Sequence, residues 1–141
     1  MKPSALLLLI LPLLTASAMA AGHGLDVALS GVQHDRGQLR VGLYADTKTF
    51  RKEAQAKEIK TAPAKPGEAV VHFDDLPPGR YAIMAYHDED GNGELNRRFG
   101  MFPTEGYGLS NNPKRSGPPA FEDSAFEVPA PDNRVQIELK Y

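Results

Sequence analysis

The sequence contains no cysteine and no tryptophan. Without cysteine there are no disulfide staples, thiolate metal sites or thiol catalysis, so the fold must hold by packing alone. Neither sign of charge dominates: 16 Lys and Arg stand against 18 Asp and Glu, a net charge of −2. A chain so balanced has no electrostatic footprint for nucleic acid, and no basic stretch long enough to hold anionic lipid. Long apolar runs are missing too, apart from Ala5–Leu14, which only Pro12 interrupts. That run is shorter than the roughly 20 residues that span a bilayer. It follows Lys2 and leads to Ala18-Met19-Ala20, a small-x-small cleavage pattern. Residues 1–20 are therefore expected to be a secretory signal peptide, and no cysteine follows to carry a lipid. The mature chain, residues 21–141, is expected to be one exported domain, periplasmic or secreted, with no membrane insertion after cleavage.

What the chain has in quantity is turn residues, 12 Pro and 13 Gly, which favour short strands over long helices. Leu25, Val27 and Leu29 alternate with polar or small residues, and Leu39, Val41 and Leu43 resume that period after His34-Asp35-Arg36-Gly37. These two runs are predicted to form a hairpin. Residues 47–57 are the one plausible helix, with Phe50 as its single large apolar residue. Ala69, Val71 and Phe73 alternate again before Asp74-Asp75-Leu76-Pro77-Pro78-Gly79, where proline and glycine reverse the chain. Tyr81–Tyr86 is apolar at both parities, which predicts a central strand covered on both faces. Two closing strands are expected at 125–128 and 135–139. Six or seven short strands at this spacing predict an all-β, antiparallel β-sandwich, immunoglobulin-like or prealbumin-like, with one short helix. Residues 97–120 keep no period and form a long loop, yet Phe99, Met101, Phe102, Tyr107 and Leu109 make it too apolar for a linker. It is expected to be an ordered excursion with its aromatic residues buried, because exposed apolar patches are unusual on a soluble domain.

The strongest chemical signal follows the central strand. Hard Ca²⁺ takes six to eight oxygen ligands, gathered most readily by a tight loop with oxygens at alternate positions. Counting Asp88 as position one puts Asp90 third, Asn92 fifth, Gly93 at the obligatory bend, Glu94 seventh, Leu95 inward at eight and Asn96 ninth. Position twelve, where an EF-hand carries a bidentate glutamate, is Phe99, and the incoming element is a strand. An EF-like loop on a β-scaffold would need a carboxylate from elsewhere, with Glu105 nearest and Asp123 next. The competing reading is a metal-free turn, since Asp, Asn and Gly also tolerate φ > 0 and bond their own backbone.

Other constellations are thinner. His23, His34, His72 and His87 show no ligand spacing, although His72 and His87 on adjacent strands are conceivable zinc ligands. Gly108-Leu109-Ser110 begins like a nucleophile elbow but lacks the closing glycine, which leaves a small hydrolase using loop 105–112 as a distant alternative. The reading carried forward is a non-enzymatic binding or structural module with an unidentified protein or small ligand as partner and Ca²⁺ as the expected ion.

Three stretches also carry a resemblance: Phe73–Ile83, His87–Asn96 and Gly100–Asn112, with Pro118-Pro119-Ala120-Phe121 and Ile137–Tyr141 in keeping. Across the region after the leader the chain resembles the bacterial domain-of-unknown-function family 2141, which implies an exported β-domain and supplies no catalytic residues. Leu76-Pro77-Pro78-Gly79-Arg80-Tyr81 is also similar to turns in prealbumin-like and carboxypeptidase-regulatory-like sandwiches. The hydroxyisourate hydrolases of the prealbumin-like group close on Tyr-Arg-Gly-Ser, whereas this chain ends Leu139-Lys140-Tyr141.

Overall fold

A computed structural model describes residues 22–114 and 117–141. The expected signal peptide lies outside the described residues. Ten strands account for most of the fold: β1 His23–Val32, β2 Gln38–Tyr44, β3 Glu58–Pro63, β4 Gly67–Leu76, β5 Gly79–Asp88, β6 Arg97–Arg98, β7 Phe102–Pro103, β8 Tyr107–Leu109, β9 Phe126–Val128 and β10 Asp132–Glu138. One four-residue helix, α1, covers Phe121–Ser124. No helix among the described residues is long and apolar enough to cross a membrane.

Eight of the strands form two sheets, ordered β10-β1-β4 and β3-β2-β5-β8, with β9 also paired to β5, while β6 and β7 pair only with each other. Alternation explains why they close on each other. Leu25, Val27 and Leu29 of β1 and Phe73 of β4 meet Leu39, Val41 and Leu43 of β2 and Ile83 of β5 in one core between the layers, all of them buried. This is the expected all-β sandwich. One pair departs from the antiparallel rule: β1 runs parallel to β10, Val27 lying opposite Val135.

β5 is the central strand that its composition predicted, buried from Tyr81 to Asp88. Its two parities serve two cores. Tyr81, Ile83 and Ala85 face the opposite sheet. Ala82, Met84 and Tyr86 face outward, where Tyr44, Phe50, Leu95 and Phe121 complete a second cluster. Phe50 sits edge-on to both Tyr44 and Phe121, with centroids 5.5 and 5.8 Å away.

Three expectations are corrected. β1 and β2 do not pair as a hairpin; β1 bonds β4 and β10 while β2 bonds β3 and β5, so the turn at 33–37 crosses between sheets. Alternation reports which face is buried, not which neighbour is bonded. Residues 47–57 are not an α-helix. A single i→i−4 bond, Phe50 N–H to the Asp46 carbonyl at 3.2 Å, is followed by Arg51 at φ 66°, and only Glu53–Gln55 form a 3₁₀ turn. One large apolar anchor is too little to hold a longer helix. The chain then runs extended as β3, an edge strand that the Pro-rich stretch had concealed, with Pro63 at its end.

The described residues of the excursion, 97–114 and 117–120, are ordered but not buried throughout. Its first part is the β6–β7 hairpin, in which Phe99, Met101 and Phe102 are 82, 67 and 60% exposed. The turn hydrogen-bonds Met101 N–H to the Arg98 carbonyl, with φ positive at Phe99 and Gly100, and this geometry directs the tip away from the sandwich. Burial of these aromatic residues was therefore the wrong expectation. Tyr107 is half-buried and Leu109 is buried, as β8 joins the edge of β5.

Candidate metal centre

β5 ends on the loop. Asp88 is the last residue of the strand, opposite Gln38 of β2, and is fully buried. A buried carboxylate needs partners, and Asp88 finds them in the turn that it starts. Its Oδ1 accepts from Asn92 N–H at 3.0 Å, and Oδ2 accepts from Gly93 N–H at 2.9 Å and from Gln38 Nε2 at 3.1 Å. The bends fall at Gly91 and Gly93, both at positive φ (71° and 78°), where a side chain would strain the backbone.

The remaining positions of the loop close on this core. Asp90 Oδ1 accepts from Asn92 N–H at 3.1 Å, and its Oδ2 accepts from Asn96 Nδ2 at 2.7 Å. The Asn96 amide, ahead of the Asn92 backbone, holds the exposed Asp90 carboxyl below the usual carboxylate range. Asn92 Oδ1 accepts from Glu94 N–H at 2.9 Å, and Asn92 Nδ2 donates to Asn96 Oδ1 at 2.6 Å. Leu95 points inward as its position required, only 8% exposed, and pins the loop to the outer core. Tyr86 O–H reaches the Gly93 carbonyl at 3.0 Å from beneath.

Glu105 arrives from the far side of the β6–β7 hairpin and is buried. Its Oε1 accepts from Glu89 N–H at 2.9 Å and its Oε2 from Asn96 N–H at 3.0 Å. A bond from Thr104 N–H to the Asn96 carbonyl at 2.8 Å closes the base of the hairpin beside it. Carboxylate oxygens of Asp88, Asp90 and Glu105 thus lie within 4.8 Å of one another. Such a focus of oxygens suits a hard dication. Of the sequence-based candidates, these three are brought together, Asn92 and Asn96 bridge them, and the Glu94 N–H is tied to Asn92. Asp123 sits in α1, outside that group.

The other candidates take different places. His72 lies on β4 in the opposite sheet, beside Asp26 and Asp74, so it is not a neighbour of His87. The hydrogen bond that His72 Nδ1 donates to Asp26 Oδ1 at 2.5 Å is the main cause that raises the His72 pKa. His87 is fully buried and lies beside His34, the two rings tilted by 42° with centroids 4.4 Å apart. Ser110 is buried; its Oγ accepts from Ile83 N–H at 2.9 Å and donates to the Ser124 carbonyl, a tether between β5 and α1.

A feature that strand-by-strand reading overlooked lies on the outer face of the same sheet. Arg40, Arg51, Arg97, Glu53 and Tyr86 border a cleft of about 210 Å³. Glu53 accepts from Arg40 Nε at 2.9 Å and from Tyr86 O–H at 2.7 Å. Arg40 and Tyr86 are exact cross-strand partners, a proximity visible only once β2 and β5 are paired.

The family model for "uncharacterized protein conserved in bacteria (DUF2141)" matches residues 27–136. No curated protein and no solved structure matches the chain. The match runs from β1 into β10 and takes in the acidic loop, the hairpin and Glu105. The chain belongs to this family of bacterial proteins.

Proposed function

We propose that the protein is an exported, non-enzymatic β-sandwich, a binding or structural module, whose 88–96 loop takes up Ca²⁺ and so fixes the base of the 97–120 excursion. The observation that carries this reading is the arrival of Glu105 beside Asp88 and Asp90, with two of the three carboxylates buried. Like charges gathered at such separation repel, and a dication relieves the repulsion. Asp88, Asp90, Asn92 and Glu105 would supply side-chain oxygens, Glu94 its carbonyl, and Asn96 a ninth-position oxygen. On uptake, the Asn92 and Asn96 amides exchange their mutual hydrogen bond for the ion. Exported calcium sites bind with Kd of roughly 10⁻⁴–10⁻³ M. With Kd at the tight end, 1 mM calcium then stabilises by about 1.4 kcal/mol, or about 5 °C in Tm.

The metal-free module is the second reading, and one observation favours it. Both carboxylate oxygens of Asp88, Asp90 and Glu105 already accept a hydrogen bond from within the protein. A hydrolase using loop 105–112 has less support, because the Ser110 hydroxyl is buried and fully engaged.

Calorimetric titration with calcium, together with thermal melts of the wild type and of Asp90→Ala, separates these readings. Asp90 is exposed, so its truncation leaves the fold intact. The calcium reading expects binding and a raised Tm in the wild type, both lost in the variant. A wild-type melt unmoved by 5 mM calcium, with no heat of binding, leaves the metal-free module.

A further inference from the structure

We propose that His34, His87 and Glu89 form a second cation site, for a divalent transition-metal ion of the zinc class, separate from the acidic loop. The three residues come from two places in the chain, the turn after β1 and the end of β5. One ligand atom from each lies within 4.8 Å of the others. His34 Nε2 already pairs with Glu89 Oε1, and the rings of His34 and His87 are 4.4 Å apart.

His87 anchors the group. It is fully buried, and its Nε2 lies 2.6 Å from the Arg36 carbonyl. A carbonyl only accepts, so Nε2 carries the proton and Nδ1 keeps a lone pair. That lone pair now accepts from Tyr141 O–H at 2.7 Å. A ring N–H held by a backbone carbonyl is the outer arrangement that fixes the tautomer and orientation of metal-binding histidines. The fixed imidazole is thus set to donate from Nδ1, with the Tyr141 oxygen at the rim.

His34 and Glu89 supply the adaptable half. Their side chains are 25 and 24% exposed, so an ion can reach them from solvent. Arg36, whose guanidinium lies 3.4 Å from His34 Nε2, is exposed, so its side chain has room to swing outward on entry of a cation. Zinc bound at about 2.0–2.2 Å needs its ligand atoms about 3.4 Å apart, and these two side chains close that difference. Water or the Tyr141 oxygen completes a four-coordinate shell. Two imidazoles with one carboxylate favour zinc, copper or nickel over calcium, which selects oxygen. The bound ion would tie the 33–37 crossover to the end of β5.

The site stands independently of the calcium reading, and one experiment keeps the two apart. The full mature chain, stripped with chelator, is titrated with zinc by calorimetry in 1 mM calcium. His34→Ala, Glu89→Gln and Asp90→Ala are titrated in parallel, with thermal melts to show that each is folded. The expected result is one zinc per chain, weakened about 100-fold by His34→Ala and at least about 10-fold by Glu89→Gln, but unchanged by Asp90→Ala. Cobalt in place of zinc should give visible bands of a four-coordinate nitrogen–oxygen site. Absence of zinc binding to the folded wild type overturns the proposal, as does full affinity in His34→Ala. Loss of zinc in Asp90→Ala alone would assign the ion to the acidic loop and overturn it equally.

Discussion

Glu53 shows how much one exposed turn can ask of a single side chain. Its carboxylate accepts from Arg40 and from Tyr86 O–H, and its charge also reaches Tyr44. Tyr44 is 2% exposed, and burial first, then the Glu53 charge, pushes its phenol up to about 12. Burial first, then the hydrogen bond to Glu53 and the Glu53 charge, also raise Tyr86. Because the folded state holds these protons more tightly than the unfolded chain, where a phenol titrates near 10, the folded protein binds more protons above that pH. The contribution is therefore fully present below pH 10 and is lost as pH rises through about 12. Urea unfolding between pH 9 and 11.5 should show stability falling above pH 10, and Tyr44→Phe should flatten part of that fall. An equally steep fall in the variant would remove Tyr44 from the account.

At the scale of elements, the close approach of the 33–37 crossover to the end of β5 decides whether the acidic loop starts in the right place. Gly37 has φ 69°, and a Cβ there would overlap the Asp88 carbonyl oxygen. Nothing smaller than glycine exists to be substituted, and the obstacle is backbone. Gly37→Ala should thus cost at least about 2–3 kcal/mol in urea unfolding, from the left-handed conformation plus the overlap. On the calcium reading, displacement of Asp88 should also weaken calcium uptake more than the stability loss alone explains. A variant within about 0.5 kcal/mol of wild type would mean that the crossover has room to move.

This contact also marks what the sequence makes legible. The period of two in Leu25–Leu29, Leu39–Leu43 and Ala69–Phe73 is a local consequence of one buried face, so those strands could be read directly. Their partners could not, because pairing β1 with β10 joins residues more than a hundred positions apart. The acidic loop was legible for a similar reason: Asp88 to Asn96 is contiguous, and Glu105 follows one short hairpin later. His34 and Tyr141 lie 53 and 54 positions from His87, so only the folded topology brings them to it. Likewise, Glu58–Pro63 is an edge strand with mixed burial, and such strands leave little periodic trace.

For the whole molecule, the distribution of apolar surface separates what holds the fold from what the fold displays. Leu95 is the only side chain of the 88–96 loop in the outer core, where it meets the cluster of Tyr44, Phe50, Met84 and Phe121. Phe99, Met101 and Phe102 lie a few residues further on and stand in solvent at the hairpin tip. Truncating a buried leucine loses its transfer free energy and leaves a cavity, so Leu95→Ala should cost about 2–4 kcal/mol. Because Leu95 positions the acidic loop, the calcium reading expects the same variant also to lose the rise in Tm that calcium would give the wild type. Replacing all three tip residues by serine removes no core contact, so stability should stay within about 0.5 kcal/mol per site and the calcium response should persist. The comparison needs only urea and thermal melts of the two variants with and without calcium. If the serine variant loses more than about 2 kcal/mol, the tip packs against the sandwich in solution. If Leu95→Ala keeps the full calcium response, the ion is held by the loop backbone without support from the outer core.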